Sequence, residues 1–338
     1  MADAPTRVPL TLPGNNGSDA ASLPQPDFQP QESFQQRLLQ FAITLAPNQG
    51  TGQPVQFAGT DSNTITLEGF RASVRIQWAG APTATQADVK IYGLNDSTMQ
   101  QLAVLGIVFN SVQKNSVTIS AGNPKSGFTA VFGGTIWSSM PDYNQAPNVP
   151  LLMTAQAGYF NQIVPIAASS FPQTTDVATM MAGFAAQIPA GFENNGVTVQ
   201  MPPSYFPGSL IQQIRRCART ANINAELVDA DSKLAIWPIG GSRTKLTSVP
   251  LVSKTTGMIG YPTISPNGFV VVKTLFNPQI AFGGQIQVQS SRVPQANRMW
   301  AVQRVDLELD SLVPHGEWKQ IVYCYPVGFP APPPPTAR

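Results

Sequence analysis

Catalysis and metal binding depend on a few side-chain types, and this sequence places few of them in usable patterns. It has one histidine, His315, between Pro314 and Gly316, so a histidine-based metal site cannot form within one chain. Asp229 and Asp231 have the spacing of a calcium loop, but Ser232 and Lys233 follow where more oxygen ligands and a glycine are needed. The 18 carboxylates leave Asp/Glu-only magnesium or calcium sites open. A paired-carboxylate glycosidase also stays open, because two acids need only meet in space. Glu68, Glu193, Glu226, Glu308 and Glu317 each sit in a segment that accounts for them as strand or turn residues. There is no G-x-S-x-G nucleophile elbow and no G-x-x-x-x-G-K-[ST] phosphate loop. Arg215, Arg216 and Arg219 share one helix face, suited to a phosphate or carboxylate partner or to plain solvation. Cys217 and Cys324 are far apart and form no C-x-x-C pair, which reads as two buried thiols. The tryptophans, Trp78, Trp137, Trp237, Trp300 and Trp318, fall on strands or their ends and suit core or interface packing better than sugar stacking. No catalytic residue, cofactor or metal is assigned.

The elements that would position these groups are mainly strands. Leu39–Leu45, Ala72–Trp78, Ala87–Leu94 and Val117–Ile119 alternate apolar with smaller or polar residues, the pattern of half-buried strands. Phe128–Trp137 and Val149–Tyr159 are further strands, and a short helix capped by Asn95 or Asp96 carries Met99, Leu102 and Leu105. The middle of the chain is different. Thr175 is placed to cap a helix running to about Gln187, with Val177, Met180, Met181, Phe184 and Ile188 on one stripe. A second helix starts near Ser209 and buries Leu210, Ile211, Ile214, Cys217 and Ala218. A hairpin, Ile223–Val228 and Leu234–Trp237, follows. Strands then return at Gly268–Phe276, Gln279–Ser290, Trp300–Glu308 and Trp318–Tyr325. The expected architecture is mainly β with an α+β insert: an extended arm over 1–36, a first barrel over 37–168, an α+β insert over 169–248, a second barrel over 249–329, and a Pro-rich tail over 330–338. The arm reads as a disordered tail or as a segment that orders against a neighbouring subunit.

Composition narrows the function classes. Only 11% of the 338 residues are charged, against about 25% in an average soluble protein. Proline (32), glycine (27) and glutamine (29) take the place of charge. This argues against a coiled coil, rich in Ala, Glu, Lys and Leu, and against a wholly disordered chain. A net charge of +2 is no electrostatic footprint for specific nucleic-acid binding. No apolar run approaches the ~18 residues of a membrane span, and residues 1–36 lack the apolar core of a secretory signal. Charge is depleted at interface cores, so much of this surface is expected to be interface.

One series of motifs is informative in its order. Ala87–Asp88–Val89–Lys90–Ile91–Tyr92–Gly93–Leu94 leads into a short helix, followed by Val117–Thr118–Ile119–Ser120–Ala121–Gly122 and Val131–Phe132–Gly133–Gly134–Thr135–Ile136. Later come Ser265–Pro266–Asn267–Gly268, Asn277–Pro278 with Ile280, Gly283–Gly284, Val302, Val305, Asp310, Trp318 and Cys324. Over 37–326 this resembles the tailed-bacteriophage baseplate hub family. Many relatives carry a histidine where this chain has Leu307, and the arm and tail lie outside the usual pattern. The resemblance implies two tail-tube-like β-barrels flanking a small α+β domain, and a structural virion protein rather than an enzyme. It implies a homotrimer in the tail baseplate, made in the bacterial host cytoplasm, that links a hexameric tail tube protein to a trimeric central spike protein. Wedge or other baseplate proteins would be further partners. Ile91, Tyr92, Gly93, Leu94, Phe132, Gly134, Asn277, Pro278, Gly284, Asp310 and Trp318 are its structural motif positions. A carbohydrate- or receptor-binding tail module and a peptidoglycan-cleaving hub are the alternatives.

Overall fold

The computed structural model describes residues 36–48, 51–53, 55–57, 60–80, 83–103, 115–188, 190–228, 230, 233–246 and 248–328. Residues 1–35, Leu105, Asp229, Asp231, Ser232 and the Pro-rich tail lie outside the described residues. The first region holds β1 (Leu38–Thr44), β2 (Thr64–Glu68), β3 (Arg71–Trp78), β4 (Gln86–Tyr92), α1 (Asp96–Leu102), β5 (Ser116–Asn123), β6 (Gly127–Pro141), β7 (Pro150–Gln156) and α2 (Tyr159–Ile163). The middle holds β8 (Ser169–Phe171), β9 (Thr175–Asp176), α3 (Val177–Ala185), β10 (Gly191–Asn194), β11 (Gln200–Met201), β12 (Ser204–Phe206), α4 (Leu210–Ala221), β13 (Ile223–Val228) and β14 (Lys233–Pro238). The last region holds β15 (Leu251–Val252), β16 (Thr263–Ile264), β17 (Val270–Leu275), β18 (Gln285–Val288), β19 (Met299–Ser311) and β20 (Trp318–Pro326).

The β strands of the first and last regions form one 13-stranded sheet, ordered β16-β17-β20-β19-β3-β4-β7-β6-β5-β1-β2, with β18 against β19 and β15 against β18. Two tail-tube-like β-barrels flanking the middle region were expected. Among the described residues the hydrogen-bonded path is instead continuous and open at β16 and β2. The cause is the length of β19. Its 13 residues pair at one end with β18, Met299 opposite Gln287, and at the other with β3, Ser311 opposite Ala72. A bulge between Val302 and Arg304 bends the strand, as bulges do. The core is shared too: Phe41, Ile43, Val74, Ile76, Ile91, Phe132, Val272, Ile286, Trp300, Leu309 and Val322 belong to one buried cluster.

The middle region has its own buried cluster, including Val177, Met181, Phe184, Ile214, Cys217 and Ile236. Its helices obey their caps. Asn95 accepts from the Thr98 amide at 2.7 Å, and Ser209 and Gln212 form a capping box on α4. Asp176, rather than Thr175, caps α3 by accepting from the Thr179 amide. The strand expected to reach Tyr159 ends at Gln156, and α2 begins after Gly158.

The middle region is tied down by one buried ion pair. Arg243 donates from Nε and Nη2 to the two Glu193 oxygens, each at 2.9 Å, and both side chains are buried. Asn195 Nδ2 donates to Glu193 at 2.9 Å, and the Arg243 amide donates to the Gly283 carbonyl at 2.7 Å. Removing one partner of such a pair leaves an uncompensated buried charge, costing ~3–5 kcal/mol. Arg243→Ala is therefore expected to lower stability by that amount in urea unfolding, and a cost under about 1 kcal/mol would contradict this placement.

Candidate functional site

The candidate site is the seam between β3 and β19 and the solvent-facing side of the sheet around it. Seven residue pairs join the two strands, from Val305 opposite Trp78 to Ser311 opposite Ala72. On the inner side Val74 meets Leu309 and Ile76 meets Leu307, all buried. On the outer side charges of opposite sign line up across four strands. Asp88 faces Arg75, Arg75 faces Glu308, and Glu308 faces Lys319. Arg75 Nη1 donates to Asp310 at 3.0 Å, and Lys319 contacts Glu308 at 3.2 Å and Glu317 at 3.0 Å. Arg304 grips Asp306 with two bonds of 2.8 Å, and its guanidinium lies 4.9 Å from the Tyr323 ring centre. Each buried apolar side chain contributes ~1.5–3 kcal/mol, and an exposed ion pair ~0.2–1 kcal/mol. The inner rows therefore hold the seam, while the outer rows set register and leave the face nearly neutral.

The motif positions are distributed over this framework rather than gathered in one pocket. Ile91 is fully buried in β4, and Arg71 lies 4.3 Å over the Tyr92 ring. Gly93 turns the chain into α1 at φ +87°, a conformation that costs glycine little, and Leu94 packs on the core. Phe132 is fully buried in β6. A side chain on Gly134 would reach 2.8 Å from the Gln156 backbone. Asn277 caps its own turn, accepting from the Gln279 amide at 3.0 Å, and Pro278 follows it. A side chain on Gly284 would reach 2.9 Å from Leu246. Trp318 stacks edge-on to Phe276, ring centres 5.9 Å apart. Asp310 alone lies on the seam. It accepts from the Glu317 amide at 2.8 Å as well as from Arg75.

A repeat escaped sequence reading. Phe132–Gly133–Gly134–Thr135–Ile136 and Phe282–Gly283–Gly284–Gln285–Ile286 share the pattern F-G-G-x-I. Both receive the middle region. A Cβ on Gly133 would collide with the Ala230 carbonyl, and one on Gly283 would press on Trp237 and Arg243 at 3.0 and 3.1 Å. Aligning the chain against itself would have revealed the repeat. The Glu193–Arg243 pair also escaped, because Arg243 follows Gly240–Gly241–Ser242 with no periodic context.

Little in this arrangement resembles a reaction centre. Among the described residues no three His, Cys, Asp or Glu side chains gather to hold a metal, and no helix is long and apolar enough to cross a membrane. His315 is exposed in the β19–β20 turn. Burial pushes the Cys217 thiol up to about 12 and raises Cys324 further, so neither forms the reactive thiolate at neutral pH. Arg216 and Arg219 are exposed on α4 and Arg215 is half-buried. One cavity of about 110 Å³ lies among Trp78, Arg243, Phe282 and Gln320, and another of about 290 Å³ lies on the seam among Arg75, Asp88, Arg304, Asp306 and Glu308.

A family model described as "Baseplate hub gp41" matches residues 54–313. The chain belongs to the baseplate hub gp41 family. Solved structures share the hub chain's fold at low identity. A tail protein from Neisseria meningitidis MC58 is 10% identical, with TM-score 0.56 over 85% of this chain and 97% of that one. The 43 kDa tail protein of prophage MuSo2 from Shewanella oneidensis is 8% identical, with TM-score 0.52 over 85% and 98%. An Escherichia coli type VI secretion component, described as similar to T4 bacteriophage tail proteins gp27 and gp5, is 9% identical, with TM-score 0.53 over 79% and 77%. No curated protein sequence matches the chain. The hub family is a structural family of the bacteriophage tail baseplate.

The seam of this hub chain has a pH signature. Burial disfavours the Asp310 carboxylate, but hydrogen bonds from the Glu317 amide, Arg75 and Ser73 outweigh it, so its pKa lies below the ordinary value of 3.8. A carboxylate with a depressed folded-state pKa stabilises the fold above its unfolded value and loses that contribution as pH falls through the folded one. Asp310→Asn is expected to cost ~1–3 kcal/mol at about pH 7. The gap to wild type should narrow as urea titrations descend below about pH 4. A gap independent of pH would contradict the assignment.

Proposed function

We propose that this chain is the subunit of a trimeric baseplate hub, linking a hexameric tail tube to a trimeric central spike in the virion tail. The observation that carries the reading is the repeated F-G-G-x-I segment in two β regions of one chain. Two similar regions in each of three subunits present six similar surfaces, which suit a sixfold tube on one side while the threefold axis suits a spike on the other. The continuous sheet supports this, because a hub bearing load between tube and spike gains from having its two halves joined by a strand rather than by a flexible linker. We assign 37–168 and 249–329 as the two tube-like barrels and 169–248 as the domain between them. The motif positions, from Ile91 to Trp318, serve as structural determinants. Synthesis in the host cytoplasm follows from assembly inside the infected cell, and wedge proteins are further partners.

The role requires no chemistry, and the outer carboxylates on the seam are already engaged with bases or hydroxyls, Asp88 with Thr154 at 3.1 Å among them. None of the five tryptophans that a sugar-binding reading would use is exposed. Trp78, Trp237, Trp300 and Trp318 are buried, and Trp137 packs beside Tyr159.

Light scattering of the purified full chain tests the reading. A trimer that binds the spike protein encoded beside it is expected. A monomer or dimer with no affinity for either tube or spike would contradict it.

A further inference from the structure

An asparagine followed by glycine is prone to lose its side-chain amide, because glycine has no Cβ to shield the next backbone nitrogen or restrict its approach. The sequence has three such dipeptides, beginning at Asn16, Asn195 and Asn267. The first lies outside the described residues. The fold treats the other two in opposite ways.

Asn195 is locked. It is 2% exposed. Its Nδ2 donates to Glu193 at 2.9 Å and to the Ile236 carbonyl at 3.2 Å, and its Oδ1 accepts from the Lys245 amide at 3.0 Å. Turning its carboxamide toward the Gly196 nitrogen would break all three bonds beside a buried ion pair. Asn267 is open. It lies at the tip of the β16–β17 hairpin, exposed between exposed Pro266 and Gly268. Its carboxamide makes no hydrogen bond among the described residues. Gly268 sits at φ +79°, with no atom within 4 Å of the place a Cβ would occupy. The Gly268 amide donates to the Ser265 carbonyl at 2.9 Å, and this bond must open before the nitrogen can react. Exposed hairpin tips open locally at small cost. Gly196 is as exposed and as uncrowded as Gly268, so the contrast lies in the asparagines.

We infer that Asn267 is a site of spontaneous deamidation in the folded protein, with water as the only co-reactant. Hydroxide takes the Gly268 amide proton, and the nitrogen attacks the carboxamide carbon of Asn267. The new C–N bond closes a succinimide ring, and the bond to the side-chain nitrogen breaks, releasing ammonia. Water then opens the ring at either carbonyl, giving aspartate or isoaspartate. Either product adds a negative charge to a chain of net charge +2. Isoaspartate also routes the main chain through the side chain and lengthens the turn by one carbon. The consequence falls on β16, which meets β17 at Thr263–Val271 and Ile264–Val270. On its other side β17 pairs with β20 from Val270 to Leu275. The modification therefore loosens an edge of the sheet and leaves its interior intact.

Ageing the full-length protein tests the assignment. The folded chain is held at neutral and at mildly alkaline pH, with a parallel sample in guanidinium chloride. Samples are digested at intervals and read by peptide mass spectrometry, with fragmentation that separates aspartate from isoaspartate. In the folded chain Asn267 should convert at least about tenfold faster than Asn195, whose three hydrogen bonds must first be broken. Conversion at Asn267 should be faster at the alkaline pH, because the reacting nitrogen must lose its proton. Unfolding should abolish the protection of Asn195. Conversion at Asn267 no faster than at Asn195 in the folded chain, or an Asn195 as slow unfolded as folded, would overturn the assignment.

Discussion

The pairing of β3 with β19 is the constraint on which the rest of the molecule depends. The two strands lie more than two hundred residues apart in the chain, yet their ladder makes a single sheet of the first and last regions. Without it the regions would meet only through side chains, as neighbouring domains do, and relative motion would be the default. With it, rotating one region against the other requires breaking backbone hydrogen bonds and exposing Val74, Ile76, Leu307 and Leu309. Registration follows from the same pairing. A slip by one residue would turn these four toward solvent and bring Arg75 and Glu308 into the core.

Charge is rationed to match. The few ions on the sheet are used in rows of alternating sign across the seam, and a buried pair, Glu193 with Arg243, fastens the middle region. The remaining surface, above all that of residues 143–214, is left to uncharged polar and apolar groups. A protein that lived as a free monomer would gain solubility from more surface charge. A subunit covered on several sides avoids the desolvation cost of ions that would otherwise be buried on assembly. The low charge content suits the covered subunit proposed above.

Local signals were legible and distant pairings were not. The start of α4 near Ser209 and the buried stripe from Val177 to Ile188 could be read because helix starts and helical periodicity lie within a few residues. The strands around Val74, Ile91 and Val272 could be read because alternation is also local. The reach of β19 to Ser311 was missed, since its last residues, Leu309, Asp310 and Ser311, alternate correctly but resemble a turn entry next to Leu312 and Pro314. Its partner β3 cannot be inferred from either strand alone. The ribbons β8–β12 and β9–β11 are two or three residues long, too short for any period. Of the motif positions, Asp310 proved to sit where the two regions join, while Ile91, Phe132 and Trp318 proved to be core.

Native-state hydrogen exchange at the amides of β3 and β19 tests the central claim most directly. If the seam makes one body of the two β regions, its amides should exchange only through global unfolding, with the same free energy as the central amides of β4 and β20 and the same dependence on denaturant. Seam amides that exchange through a separate, lower-energy opening, while the amides on either side stay protected, would show two domains resting against each other and would contradict the account.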